Sequence, residues 1–144
     1  MGNYKHIETC VGTYVATHYS RAIEVGIGRN DEAARIARNA GVLVLCTDVK
    51  PLDITDLPFS EDDVFSPDIS LYRGAEVIYA IRPAIEMIPP LMDLARRINA
   101  DLIVYHLGFE SYENGGEIID CGVLLHRYHA RSEPVKEGGL SPGR

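Results

Sequence analysis

No apolar run in the 144-residue chain approaches the roughly 18 residues that a membrane-crossing helix needs. The opening MGNYKHIETC also lacks the apolar core of a secretory signal. These absences predict a soluble cytoplasmic protein with no membrane partner. Basic charge is scarce too: 14 Lys and Arg stand against 21 Asp and Glu, a net charge of −7. A protein that grips a phosphate backbone does so with clustered cations, so nucleic acid is an unfavourable partner. Cys10, Cys46 and Cys121 are few, odd in number and far apart, with no CxxC pair and no zinc-like spacing. They read as reduced, mostly buried thiols. The histidines offer no metal site either. His126 and His129 lie an odd number of residues apart, so on a strand they face opposite sides. His106 alone ends a strand at the cleft, and the acids of residues 53–68 match no EF-hand spacing.

What is present is a core: 46% of the residues are hydrophobic, enough for one compact domain. We place it at residues 1–131, with a disordered Gly-rich tail at 132–144. Ile7, Val11, Tyr14, Val15 and His18 recur at helical spacing, which predicts an amphipathic helix over 4–19. AIEVGIG follows as a strand covered on both faces. Asn30 is the expected N-cap of a helix over 31–40, with Asp31 and Glu32 in its first turn and Gly41 beyond its end. VLVLCTD is a second buried strand, completing a βαβ unit with a right-handed crossover.

PLDITDLPFSEDDVFSPD, residues 51–68, carries six acids and no Lys or Arg. It reads as an irregular, solvated and mobile connection with at most one short strand or helical turn. AEVIYAI is the third clear strand, and Pro89 and Pro90 either kink the following helix or mark its true start. DLIVYHL is the fourth. GGEIIDCG and VLLHRYHA form a closing hairpin or a single edge strand. The fold class is α/β: a three-layer, Rossmann-like, mainly parallel sheet with helices on both faces. Its four clear strands take the spatial order 2-1-3-4.

In such a sheet, ligands bind beyond the carboxyl ends of the strands, where the strand order switches. Gly26 and Gly28 stand at that edge, where a missing Cβ admits a ligand to the backbone. Asp48 ends the next strand 22 residues after Gly26, near the roughly 20-residue spacing of an acid that accepts ribose hydroxyls. The alternative is a structural turn and a loop-capping acid. A GxGxxG fingerprint would need glycine at position 31, where Asp31 stands. Asp31 and Glu32 put negative charge where a pyrophosphate would sit, which counts against a nicotinamide dinucleotide. They do not oppose S-adenosylmethionine, which carries a sulfonium and an ammonium and no phosphate. Glu24, in mid-strand, needs a partner: a ligand ammonium, a structural Arg or backbone amides.

Residues 22–107 resemble the S-adenosylmethionine-dependent methyltransferase version of the Rossmann fold, whose first motif is an acid followed by glycines, here Glu24-Val25-Gly26-Ile27-Gly28-Arg29-Asn30. VGIGRN, TDVKP and IYAIRP look like a small, uncharacterised archaeal family within that fold group. The resemblance implies that Glu24, Gly26 and Gly28 line the methionine side, that Asp48 holds the ribose and that Asp63 meets the adenine amine. Asn30 stands where the third glycine is usual. Where many amino-methylating enzymes carry an Asn/Asp-Pro-Pro-aromatic turn, this chain has Ile81-Arg82-Pro83-Ala84. Arg82 sits at the strand end that would meet a carboxylate or phosphate, or it is a salt-bridged structural residue; it cannot serve as a general base. The expected function is S-adenosylmethionine binding, with possible methyl transfer to a small molecule or protein. The competing expectation is a non-catalytic nucleotide- or partner-binding regulatory domain.

Overall fold

A computed structural model describes residues 3–132 of the chain. Helix α1, Asn3–His18, leads into strand β1, Ala22–Val25, every residue of which is buried. A turn through Gly26 and Gly28, both at positive φ, opens helix α2, Glu32–Asn39. Gly41, at φ +78°, then releases the chain into strand β2, Leu43–Asp48. The acidic connection contains one short strand, β3, Phe59–Glu61, and ends in a 3₁₀ turn at Ile69–Leu71. Strand β4, Val77–Ile81, is wholly buried. Helix α3, Ile88–Ile98, follows a 3₁₀ turn at Ile85–Met87 and has proline in its first turn, so Pro89 and Pro90 mark a start rather than a kink. Strand β5, Asp101–Tyr105, precedes a hairpin of β6, Glu117–Asp120, and β7, Leu124–His129.

The seven strands form one sheet in the order β3-β2-β1-β4-β5-β7-β6. The four clear strands of the sequence are β2, β1, β4 and β5, adjacent and parallel in the predicted order. Strand β7 runs antiparallel to both its neighbours, β5 and β6. One face of the sheet packs under α1 and α2 through Val11, Val15, Ala33, Ala37, Val77 and Ile103. The other packs under α3 through Ile23, Val25, Ile78, Leu91, Leu94 and Leu102. This is the three-layer α/β architecture.

Three expectations need correction. Asp31, not Asn30, is the cap residue of α2, and its side chain makes no capping bond. The Ala33 amide donates instead to Glu8 Oε1 of α1 at 2.9 Å, because α1 lies close enough to fill the helix terminus with a carboxylate of its own. The three cysteines are free, but only Cys46 is buried while Cys10 and Cys121 are half-buried. Finally, the acidic connection is anchored, since Arg35 reaches Asp56 at 2.6 Å and Arg38 donates to the Asp56 carbonyl at 2.7 Å. Arg35 holds the Asp56 carboxyl below its ordinary pKa. The tail at 132–144 falls, beyond Ser132, outside the described residues.

Candidate cofactor pocket at the carboxyl edge of the sheet

Where β1 ends, its backbone leaves the sheet in two steps: the amides of Gly26 and Ile27 both donate to the Thr47 carbonyl of β2, at 2.8 and 3.1 Å. Gly28 then returns its amide to Asp48 Oδ2 at 2.9 Å, and the Lys50 amide takes Asp48 Oδ1 at 3.0 Å. Asp48 thus ties the glycine turn to the end of β2, which is the capping role weighed against ribose binding. The two roles are compatible, because an ionised carboxylate has about four acceptor positions and two are used.

The acidic connection completes the pocket. The Asp62 amide donates to the Asp48 carbonyl at 2.9 Å, and Asp62 itself accepts the Tyr72 hydroxyl at 2.7 Å and the Asp68 amide at 3.0 Å. Asp63 accepts the Phe65 amide at 3.0 Å. The result is a cavity of about 370 Å³ lined by Val25, Gly26, Asp48, Val49, Asp62, Asp63, Val64, Phe65 and Met87, within the usual size of small-molecule sites. Three of its walls are carboxylates, and among the described residues lining it none is Lys or Arg. The Phe65 side chain is largely exposed at its rim.

Of the six residues singled out in the sequence, Gly26, Asp48 and Asp63 meet in this pocket. Gly28 adjoins it through its bond to Asp48. Glu24 and Arg82 lie elsewhere. The alternation along β1 turns Ile23 and Val25 toward α3, and Glu24 toward α1 and α2. There Glu24 stands in register with Cys46 and Tyr79 on the neighbouring strands and is 1% exposed. Its pKa is raised well above the carboxylate range, first by burial and next by Glu8. The Tyr79 hydroxyl approaches Glu24 closely enough to oppose that shift, yet neither it nor Glu24 Oε1 completes a hydrogen bond of good geometry. Burial therefore prevails and favours the protonated form of Glu24. Burial, with Glu24 beside it, pushes the Cys46 thiol up to about 12.

Arg82 is held at φ +59° at the end of β4, a conformation L side chains rarely adopt. Its guanidinium turns under α1 to Glu8, 3.4 Å away. It does not line the pocket, so the salt-bridged reading describes it. Sequence reasoning missed Asp62, Phe65 and Met87. The first two sit in a stretch without periodicity, and only the density of acids marked it.

Residues 8–116 match the uncharacterised protein family UPF0146. The chain belongs to that family. A UPF0146 protein of Pyrococcus horikoshii is 33% identical over 114 residues, covering 75% of this chain and 87% of its own length. Another, of Archaeoglobus fulgidus, is 32% identical over 96 residues, covering 65% and 74%. Among solved structures, this UPF0146 chain is similar to the sugar N-methyltransferase KedS8 from Streptoalloteichus, with a TM-score of 0.54 and 13% identity over 78% of this chain and 56% of that one. The UPF0146 protein thus has the methyltransferase-like version of the Rossmann fold, and spans little more than half the length of that enzyme. Among its described residues no helix is long and apolar enough to cross a membrane, and no group of three or more His, Cys, Asp or Glu is arranged to hold a metal ion.

Proposed function

We propose that this UPF0146 protein binds S-adenosylmethionine in the pocket at the ends of β1 and β2 and offers its methyl group to a small-molecule acceptor. The observation that carries the reading is the charge of the walls: Asp48, Asp62 and Asp63, with no Lys or Arg among the described lining residues. Such a field favours a sulfonium and an ammonium and repels a pyrophosphate. At about 4 Å each charge pair is worth about 1 kcal/mol in water and about 4 kcal/mol near a protein surface. The N-terminus of α2, where a dinucleotide phosphate would sit, already receives Glu8 at the Ala33 amide.

The remaining parts fit the rest of the molecule. Asp48 keeps acceptor positions for ribose hydroxyls, and Asp63 uses one oxygen for the Phe65 amide, leaving the other for an exocyclic amine. Phe65 and Met87 offer an aromatic ring and a thioether to a purine. When bound, the cofactor supplies an activated methyl group. The chain's own contribution is to fix that group and shield it, and positioning alone can account for methyl transfer. A non-catalytic regulatory domain is the second reading, favoured by Arg82 being tied to Glu8 rather than presented at the edge.

Calorimetric titration of the purified protein with S-adenosylmethionine, S-adenosylhomocysteine, NAD and ATP tests the proposal. The first two are expected to bind at least about tenfold more tightly than the phosphate-bearing pair, a difference of about 1.4 kcal/mol. Preferential binding of NAD or ATP, or no binding of any at millimolar concentration, would sink it.

A further inference from the structure

We propose that Cys10 and Cys121 form a modification site: a dithiol that a hydroperoxide converts to an intramolecular disulfide, fastening α1 to the turn between β6 and β7. Only the fold brings the two residues together, since they stand 111 positions apart. Both line a cavity of about 610 Å³ between α1 and the end of β6, with Thr13, Tyr14, Ile119 and Asp120. Both are half-buried free thiols, so a small oxidant in that cavity reaches them. Cys46 is fully buried and serves as the internal control.

Each sulfur rests against the main chain at the other cysteine. Cys121 Sγ lies 3.7 Å from the Cys10 carbonyl oxygen. Cys10 Sγ in turn lies 3.0 Å from the point where a Cβ on residue 122 would stand. Glycine leaves that room, and Gly122 at φ +108° also holds a backbone conformation that L side chains rarely adopt. The turn is braced by its own bonds: the Gly122 amide donates to Asp120 Oδ1 and the Cys121 amide to the Val123 carbonyl, both at 3.0 Å. A disulfide needs its two α-carbons within about 7 Å. Sulfurs that each touch the backbone at the partner bring the pair to the scale of that span and leave side-chain rotation to close the bond.

Burial pushes the Cys121 thiol up, which keeps its proton in place and leaves the first oxidation to Cys10, because the thiolate is the nucleophile. The Cys10 thiolate attacks the terminal oxygen of the hydroperoxide ROOH, the O–O bond breaks, and ROH leaves after taking up a proton. Cys10 is then a sulfenic acid. The Cys121 sulfur displaces its hydroxyl, which departs as water with the Cys121 proton. Two thiols have given two electrons to one O–O bond. The disulfide clamps elements otherwise joined by packing, Val11 and Val15 of α1 lying in one apolar cluster with Leu125 of β7. The site shares no lining residue with the acidic pocket and stands whether or not that pocket holds S-adenosylmethionine.

The probe is hydrogen peroxide on the intact, reduced, dilute protein, followed by thiol counting, a non-reducing gel and peptide mapping. The expected product is a single chain that has lost two of its three thiols, keeps Cys46 reduced and yields a Cys10–Cys121 cross-linked peptide, all reversed by dithiothreitol. Cys121→Ser should stop at the sulfenic acid on Cys10, captured by dimedone. The same oxidation in guanidinium tests whether the fold makes the pairing. In an unfolded chain the 36-residue separation of Cys10 from Cys46 closes about fivefold more readily than the 111-residue one, from the three-halves power of loop length. Cys10–Cys46 should therefore lead in guanidinium and be absent from the folded protein. Thiols that survive peroxide, cross-links between chains, no dimedone adduct in Cys121→Ser, or the same pairing in folded and unfolded protein would overturn the proposal.

Discussion

Glu24 is a carboxyl group in the middle of a fully buried strand, and its chemistry follows from that position. Folded, it binds its proton more tightly because burial and the neighbouring Glu8 raise its pKa well above the ordinary 4.5; unfolded, it ionises normally. The native state therefore binds more protons than the unfolded chain between 4.5 and the raised value, and stability falls as pH rises through that window. Glu24→Gln, which keeps the shape and cannot ionise, should flatten the decline. Denaturant unfolding at intervals from about pH 4 to about pH 8 checks this, and parallel profiles for the two proteins would contradict it. Gly26 poses the complementary case. It sits at φ +75° with nothing within 4 Å of an added Cβ, so Gly26→Ala should cost about 1–2 kcal/mol of stability from backbone strain alone and also narrow the pocket. Gly41, at φ +78° and equally open, is the control away from the pocket. Gly41→Ala should lose similar stability and leave S-adenosylhomocysteine affinity unchanged, whereas Gly26→Ala should weaken it severalfold.

At the scale of elements, the pairing of α1 with α2 sets the electrostatics of the sheet's carboxyl edge, and a glycine makes it possible. A Cβ on Gly12 would come within 2.9 Å of Ala33 Cα and 3.0 Å of the Ala33 carbonyl oxygen, so the two backbones almost touch. That approach delivers Glu8 to the Ala33 amide one turn earlier. Alanine is the better helix former by about 1 kcal/mol, yet Gly12→Ala should destabilise the protein by about 1–3 kcal/mol, the usual cost of overpacking. A thermal melt showing equal or greater stability would refute the close approach. Which elements the sequence made legible follows from the same physics. The strands at 22–25, 43–48, 77–81 and 101–105 announce themselves as apolar runs because helices cover both faces, and their order follows from the crossover rule. The contact of α1 with α2 left no such mark, since Gly12 and Glu8 look like ordinary interruptions of a helix pattern. A short strand in the acidic stretch and Asp63 were within reach of the sequence, but the position of β3 and the roles of Asp62 and Phe65 were not, because hydrogen bonds to Asp48 and Tyr72 shape that wall, not a hydrophobic period.

In the molecule as a whole, two carboxylate-bearing layers lie at one edge of the sheet. Glu8 occupies the Ala33 amide at the helix terminus, while Asp48, Asp62 and Asp63 line the pocket; on the proposed function the first excludes phosphate and the second attracts a cation. Glycine turn and strand-end acid could be read from spacing; the division could not, because it depends on which side of β1 each residue faces. The most direct measurement is an amide-resolved titration of the intact chain with S-adenosylhomocysteine, with NAD as the competitor. Saturable shifts are expected at Gly26, Gly28, Asp48, Asp63 and Phe65 with S-adenosylhomocysteine, with none at Glu24 and no displacement by NAD. Shifts clustered at the α2 amides from Glu32 to Ala34, or at Gly26 with NAD alone, would contradict it.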